Sequence, residues 1–154
     1  MIKFPKEVSR VFRKLEENGY KVYAVGGCVR DSLLGNNPID FDLATNAKLD
    51  ELKELFPDAI VLSEKLSVIR FDYSNPEDED EGIILDVATF RVDGQYSDYR
   101  RPDSVTFVDN IEEDLGRRDF TINAMADNPS QALVDPFDGQ EDLKRKLIRT
   151  VGDA

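Results

Sequence analysis

Histidine is absent from this chain of 154 residues, and cysteine occurs once, as Cys28. The missing histidine removes the usual general base and the commonest metal ligand. A single cysteine excludes an internal disulfide and any multi-cysteine zinc site. Any chemistry must therefore depend on carboxylates and cationic side chains. We expect Cys28 itself to be a small buried residue rather than a nucleophile.

Long apolar runs are also missing, since none approaches the roughly 20 residues that span a bilayer. The first ten residues, MIKFPKEVSR, do not resemble a signal peptide. The composition, 40% hydrophobic and 34% charged, suits one globular domain with a single core. We therefore expect a soluble, cytoplasmic domain over residues 1–154 with no membrane partner.

Acidic residues outnumber basic ones, 32 to 20, and give a net charge of −12. Five acids form one block at residues 77–81, which we interpret as a solvated loop between strands. The rest of the chain is acidic as well, and an acidic protein attracts nucleic acid poorly at long range. If the protein acts on RNA, the basic surface should lie elsewhere.

Hydrophobic periodicity predicts a mixture of helices and strands. Val8, Val11, Phe12 and Leu15 follow a helical spacing within residues 5–18, before Gly19. Further helices are predicted over residues 29–35, 47–56, 111–115 and 140–146. Strands are predicted over residues 20–25, 39–44, 59–62, 68–73, 83–90, 104–108, 133–135 and 147–151.

The stretch 22–42 combines two features that bind charged ligands. Asp40 and Asp42 would project from the same face of an extended segment, and such carboxylates suit a hard cation such as Mg²⁺. Gly26 and Gly27 end the preceding strand, where a turn without Cβ atoms and the start of a helix would let a phosphate approach backbone amides. A plain tight turn and a solvated strand edge are the alternatives.

Asp86 is the one charged residue of an otherwise apolar or β-branched strand over residues 83–90. A carboxylate there needs a cation, a metal or a hydrogen-bond donor to offset desolvation. One interpretation is an exposed polar face or an ion pair with Arg91 or another arginine. The other is a third carboxylate of the metal site.

Arginines concentrate in the second half of the chain. Arg117 and Arg118 precede Asp119, which could N-cap a helix, and arginines so placed can clamp a triphosphate bidentately. A cluster of surface ion pairs is the alternative. The polar segment 91–101 is predicted to be a loop whose tyrosines and arginines contact a base or phosphate, or an ordinary surface loop.

These residues occur in motifs that follow one another in a fixed order. The motifs are Gly26-Gly27-Cys28-Val29-Arg30-Asp31, Asp40-Phe41-Asp42-Leu43-Ala44-Thr45, Thr89-Phe90-Arg91, Arg100-Arg101-Pro102, Glu112-Glu113-Asp114-Leu115, Arg117 to Ala126 and Asp135-Pro136-Phe137. Together they resemble the head domain of class II tRNA nucleotidyltransferases, the family of CCA-adding enzymes and bacterial poly(A) polymerases. The resemblance implies an α/β fold: a mixed sheet with flanking helices, the DNA polymerase β-like palm.

The resemblance also implies roles for individual residues. Asp40 and Asp42 would bind Mg²⁺, with two ions expected. Gly26, Gly27 and Arg30 would hold the triphosphate, and Arg118, with Arg117 and Asp119 beside it, would contact the incoming nucleotide. Asp86 matches a position where the family has an acid.

The implied reaction is template-independent addition of CMP and AMP, from CTP and ATP, to the 3′ end of tRNA. A poly(A) polymerase, a specialised CC-adding or A-adding enzyme, and a non-catalytic nucleotide-binding or interaction module are the alternatives. The family's neck, body and tail are expected to be missing from this chain, so we expect little specific transfer from it alone. The oligomeric state is open.

Overall fold

The computed structural model describes residues 2–73, 82–93 and 104–151. Its helices are α1 (Lys6–Glu17), α2 (Gly27–Leu33), α3 (Leu49–Leu55), α4 (Ile111–Leu115) and α5 (Gly139–Lys144), with a 3₁₀ turn at Thr121–Asn123. Its strands are β1 (Val22–Val25), β2 (Asp40–Thr45), β3 (Ile60–Ser63), β4 (Val68–Asp72), β5 (Ile84–Thr89), β6 (Arg91–Asp93), β7 (Val105–Phe107) and β8 (Ala126–Asp127). The predicted acidic loop, and residues 94–101 of the predicted polar loop, lie outside the described residues.

Six strands form one mixed sheet in the order β3-β4-β5-β2-β1-β8, while β6 and β7 pair separately. The central pair, β2 and β5, is parallel, and the other neighbouring pairs are antiparallel. Parallel neighbours need a long crossover connection, and here the chain passes through α3, β3 and β4 between them. The mixed sheet with helices confirms the predicted fold class.

One face of this sheet is covered by apolar residues that we call the first core. It includes the helical stripe of α1 and the inward positions of the strands: Val8, Val11, Phe12, Leu15, Val22, Phe41, Leu43, Leu52, Ile69, Leu85 and Val87. Helix α1 begins and ends as predicted within one residue, and Gly19 takes a φ of 84° just beyond it. The stripe is buried because its 3.6-residue period keeps it facing the sheet.

A second core lies on the opposite face, towards the β1 and β8 edge. It consists of Val25, Ala44, Phe90, Ile111, Leu115, Ala124 and Ala126. Since Ala44 and Asp42 are two residues apart on β2, they share a face of the sheet. The second core therefore fixes α4, and the chain that follows it, beside the aspartates.

Several predicted elements differ from the structure, among them residues 91–93, which were predicted as part of a loop and form β6. Helix α2 begins at Gly27, two residues early, because the carbonyl of Gly26 accepts hydrogen bonds from the amides of Val29 and Arg30. The strands predicted over residues 133–135 and 147–151 are wrong, since each forms only an isolated bridge, through Val134 and Thr150 respectively. Single bridges exchange too few hydrogen bonds to extend into ladders.

Among the described residues, every helix falls short of the length and apolar character needed to cross a bilayer.

Candidate active site

Asp40 and Asp42 lie on the same face of β2, as the alternation of the strand predicted. Both aspartates are exposed. Phe41, which lies between them, and Leu43, which follows Asp42, are buried in the first core, at 2% and 1% exposure. The burial of the two apolar side chains fixes the register, because a slip of one residue would bury the acids instead. The packing of β2 thus presents two carboxylates side by side.

The turn at Gly26 and Gly27 lies directly beside Asp42. Val25, the last residue of β1, pairs with Asp42 across the antiparallel ladder, so the turn that follows starts at the level of this carboxylate. Gly26 has a φ of 74° and a ψ of −143°, a conformation that other residues rarely adopt. A Cβ at Gly26 would lie 3.5 Å from Nη1 of Arg118 and 3.9 Å from Oδ2 of Asp42. The missing side chain leaves space between an acid and an arginine.

Asp86 lies next to Asp42 but has its own cationic partner. The two aspartates are paired in register across the parallel strands β2 and β5. Arg70, from β4, donates two hydrogen bonds to Asp86, at 2.8 and 3.0 Å. Arg91 instead donates to Asp93, at 2.8 Å. The ion-pair interpretation of Asp86 thus holds with Arg70.

No group of three or more acidic, cysteine or histidine side chains is arranged to hold a metal ion within residues 2–73, 82–93 and 104–151. Asp40 and Asp42 share one face of β2, and Asp86 beside Asp42 is hydrogen-bonded to Arg70. A metal-binding role for Asp86 stays a prediction.

The surroundings of Asp42 disfavour its negative charge. Reduced hydration raises the pKa of its carboxyl most, and repulsion from Asp86 and Asp40 raises it further, while Arg118 and Arg70 lower it in part. Although Asp42 is exposed as a residue, protein atoms around its carboxylate limit access to water. A divalent cation at this point would offset the repulsion between neighbouring acids.

Arg117 and Arg118 follow α4 and are anchored by a buried acid. Nη2 of Arg118 donates to Oδ1 of Asp114 at 3.1 Å, and Nε of Arg117 lies 3.7 Å from Oδ2 of the same carboxylate. The prediction that Asp119 N-caps a helix is wrong. Phe120 occupies the cap of the short 3₁₀ turn, and the Asp119 carboxylate accepts a hydrogen bond from the Phe120 amide, at 2.7 Å.

Arg30 is oriented by two neighbours. Its Nε donates to Asp31 at 2.9 Å, and its Nη1 donates to Oδ1 of Asn123 at 2.8 Å. No role was predicted from the sequence for Asn123 or for Arg70. Asn123 lies within the matched motif that begins at Arg117, so its position there was the available signal, whereas Arg70 had none.

Cys28 is buried, at 4% exposure, and burial raises the pKa of its thiol to about 11. The thiol donates to the carbonyl of Val25, at 3.2 Å. A protonated, buried thiol is a poor nucleophile, which confirms the expected structural role.

Two adjoining clefts bring the predicted residues together. One, of about 400 Å³, is lined by Gly27, Cys28, Arg30, Asp31, Asn37, Pro38, Ile39, Asp40 and Asp42. The other, of about 390 Å³, is lined by Gly26, Gly27, Arg30, Asp42, Arg117, Arg118, Asp119 and Asn123. Gly27, Arg30 and Asp42 belong to both. Asp86, which lies beside Asp42 on β5, is the predicted site residue that lines neither of them.

The sequence profile of the poly A polymerase head domain matches residues 22–149, which contain every one of these residues. The chain belongs to this family. It is 47% identical over 144 residues to the CCA-adding enzyme of Geobacillus thermodenitrificans, covering 94% of this chain and 34% of that enzyme. It is 43% identical over 149 residues to that of Geobacillus stearothermophilus, covering 97% of this chain and 35% of the relative.

Solved structures of CCA-adding enzymes show the same fold. The Bacillus stearothermophilus enzyme in complex with CTP superposes with a TM-score of 0.79 at 39% identity, covering 96% of this chain and 33% of that one. The Thermotoga maritima enzyme complexed with tRNA superposes with a TM-score of 0.67 at 30% identity, covering 97% and 34%. The chain thus spans about a third of the length of the relatives that it matches.

Proposed function

We propose that this chain is the catalytic head of a template-independent nucleotidyltransferase that adds CMP and AMP, from CTP and ATP, to the 3′ end of tRNA. One observation carries the proposal: the carboxylates of Asp40 and Asp42 line the same pair of clefts as the glycine turn and three arginines. Relatives named as CCA-adding enzymes, and structures of such enzymes with CTP and with tRNA, support this substrate class.

The arginine side of the clefts fits a triphosphate. Arg30, Arg117 and Arg118 meet at one cleft with Gly26 and Gly27. Guanidinium groups bind phosphate oxygens through paired, charge-assisted hydrogen bonds, and the open turn leaves room for a phosphate near backbone amides. These residues would hold and orient the triphosphate, with Asp119 and Asn123 at the same cleft, near the nucleotide.

The aspartate side fits Mg²⁺. Asp40 and Asp42 offer oxygen ligands on one exposed face, and Mg²⁺ is usually bound by one or two carboxylates together with substrate phosphates and water. When bound, two such ions would neutralise phosphate charge and activate the 3′-hydroxyl of the primer. Because Asp42 lines both clefts, its carboxylate lies where the metal-binding side of the site meets the arginine side.

The tRNA itself should be held mainly by other parts of the enzyme. The chain carries a net charge of −12, which opposes binding of an anionic backbone. Its relatives are about three times as long, since it covers 34% of them. We therefore expect nucleotide binding, but little specific transfer to tRNA, from this chain alone.

Metal-dependent nucleotide binding tests the proposal. Titration with CTP or ATP should show binding that requires Mg²⁺, and Asp42→Ala should abolish this Mg²⁺-dependent binding because half of the carboxylate pair is lost. Asp58→Asn is the control, since Asp58 is an exposed acid in a turn that neither cleft includes. Binding by Asp42→Ala with unchanged Mg²⁺ dependence would contradict the assignment, and a response without Mg²⁺ in both proteins would favour a non-catalytic nucleotide-binding module.

The nucleotides added are a separate question. The family takes its name from poly(A) polymerase, whereas the relatives above are CCA-adding enzymes. Sequencing the 3′ ends of tRNA extended by a full-length enzyme with this head would separate CCA addition from poly(A), CC or A addition.

A further inference from the structure

A buried carboxylate in the second core has no role in the function proposed above. Asp114 lies in α4 at 1% exposure, next to the buried Leu115 and one turn after Ile111. An ionised carboxylate in an apolar core is costly unless donors surround it. An apolar residue at this position would avoid the free-energy cost of burying a charge. The contacts of Asp114 therefore need an explanation.

The contacts of Asp114 converge from two segments. Oδ2 accepts a hydrogen bond from the backbone amide of Arg91, at the start of β6, at 3.0 Å. Oδ1 accepts from Nη2 of Arg118 at 3.1 Å, and Oδ2 also lies 3.7 Å from Nε of Arg117. The Asp114 carboxylate thus links the start of β6 to both arginines of the cleft.

Both arginines contact this carboxylate and are themselves largely buried. Their side chains are only 17% and 16% exposed, and in the described parts of the chain their ion pairs are with Asp114. The Nε atoms of Arg117 and Arg118 are buried and have no hydrogen-bond partner there. Arg118 therefore extends from Asp114, through Nη2, to the edge of Gly26, where Nη1 would be 3.5 Å from a Cβ.

We propose that Asp114 is a positioning residue that fixes Arg117 and Arg118 in the orientation that binds the triphosphate. This inference rests on the proposed nucleotide site. Asp114 does not line either cleft and so acts through the guanidinium groups rather than on the nucleotide. Holding a flexible arginine in one orientation before binding lowers the entropy cost of the contact.

Charge and geometry predict opposite effects for this residue. Asp114 is negative, so by charge alone its removal would increase the positive potential of the cleft and tighten triphosphate binding. By geometry, its removal frees both guanidinium groups and leaves them poorly hydrogen-bonded, which weakens binding. The direction of the change therefore separates a positioning role from a merely electrostatic one.

The test compares Asp114→Asn with the unsubstituted chain, using calorimetric titration with CTP and with CMP in the presence of Mg²⁺. We expect CTP affinity to fall by roughly tenfold or more, as for loss of a charge-assisted hydrogen bond. CMP affinity should change much less, because CMP lacks the β- and γ-phosphates. Unchanged or tighter CTP binding by Asp114→Asn would overturn the positioning role.

Asp142→Asn is the matched control. Asp142 is also a buried aspartate paired with an arginine, since it accepts from Nε of Arg149 at 3.0 Å and from the Thr121 hydroxyl at 2.5 Å. Neither Asp142 nor Arg149 lines the clefts. We expect this variant to lower the Tm and to leave CTP affinity unchanged, and an equal loss of CTP affinity in both variants would overturn the specific role of Asp114.

A second variant covers the case in which Asp114→Asn fails to fold. Asp114→Glu keeps the negative charge and moves the carboxylate by one methylene group. A positioning role therefore predicts weaker CTP binding, whereas charge alone predicts unchanged CTP binding. Wild-type CTP affinity in Asp114→Glu would overturn the inference. If the unsubstituted chain bound no CTP, the proposed function would fall, and this inference with it, whereas CTP binding that Asp114 variants leave unchanged would overturn the inference alone.

Discussion

The two faces of the six-stranded sheet differ in the side chains that they carry, which are apolar on one face and partly charged on the other. The first core is filled by aliphatic and aromatic side chains from α1, α3 and the strands, many of them fully buried. The other face carries Asp42, Asp86 and Arg70 in one cross-strand row, beside a second core that encloses the carboxylate of Asp114. One face stabilises the fold by removing apolar area from water, while the other keeps charges that are held in place by pairing.

This difference indicates a division of labour within a small domain. A truncation in the first core away from β2 can lower stability without altering a charged side chain of the clefts, because Asp40 and Asp42 lie on the opposite face of β2 from Phe41 and Leu43. Changes on the second face should alter both stability and the site, because the ion pairs there stabilise the fold and also orient charged side chains beside the clefts. Three substitutions test this division.

The largest effect on stability should come from the first core. Leu15→Ala in α1 removes a side chain that is 0% exposed, and such truncations cost about 2 to 5 kcal/mol. Chemical denaturation would measure this loss, while CTP affinity, corrected for the folded fraction, should stay unchanged. Leu34→Ala, at a residue that is 55% exposed, is the control with little expected loss. A specific fall in CTP affinity of folded Leu15→Ala would show that the two faces are coupled.

Gly26→Ala should affect both stability and the site. The positive φ of 74° at Gly26 makes any side chain there strained, at a cost of about 1 to 3 kcal/mol, and the added methyl group would fill the space between Arg118 and Asp42. We expect a lower Tm together with a large loss of Mg²⁺-dependent CTP binding.

Gly35→Ala is the matched control for Gly26→Ala. Gly35 also has a positive φ, 84°, but a Cβ there would meet nothing within 4 Å. We expect this variant to lose stability and to keep CTP affinity, as measured by the same melting and titration experiments. Equal losses of CTP affinity in the two variants would mean that backbone strain, rather than the space beside Asp42, limits binding.

The smallest effect should be a gain in stability at Asp42. Its pKa is raised by reduced hydration and by Asp86 and Asp40, so the folded state becomes less stable as the pH rises through that pKa. In metal-free buffer at pH 7, Asp42→Asn should remove this loss and raise the Tm slightly. The gain in Tm should vanish below the ordinary pKa of an aspartate, because the Asp42 carboxyl is then protonated in the folded and in the unfolded protein alike.

Thermal melts of Asp42→Asn and Asp58→Asn across this pH range would measure the effect, with EDTA present throughout. A decrease in the Tm of Asp42→Asn at pH 7 would contradict the proposed repulsion among the acids. The expected combination, a more stable protein that no longer binds CTP with Mg²⁺, would show that the charged face is maintained for function at the expense of stability.

Several site features follow from local pattern, and others do not. The alternation of Asp40, Phe41, Asp42 and Leu43 predicts a shared face for the acids, and the structure confirms it. The partner of Asp86 was left open, since Arg70 lies 16 positions away on β4 and only the register between β4 and β5 brings the two residues together. The bond between Arg30 and Asn123 joins residues 93 positions apart, and the N-cap expected at Asp119 failed because the chain there forms only a short 3₁₀ turn.

The sequence by itself determined where apolar stripes and alternating strands would form, because helical and strand periods are local properties of the chain. It also determined which chemistry is available, since a chain without histidine must rely on carboxylates and arginines. Only the tertiary structure decided that Arg70 meets Asp86 and that Arg30 meets Asn123. These contacts depend on packing between separate segments, such as the register of β4 against β5, and have no local signature.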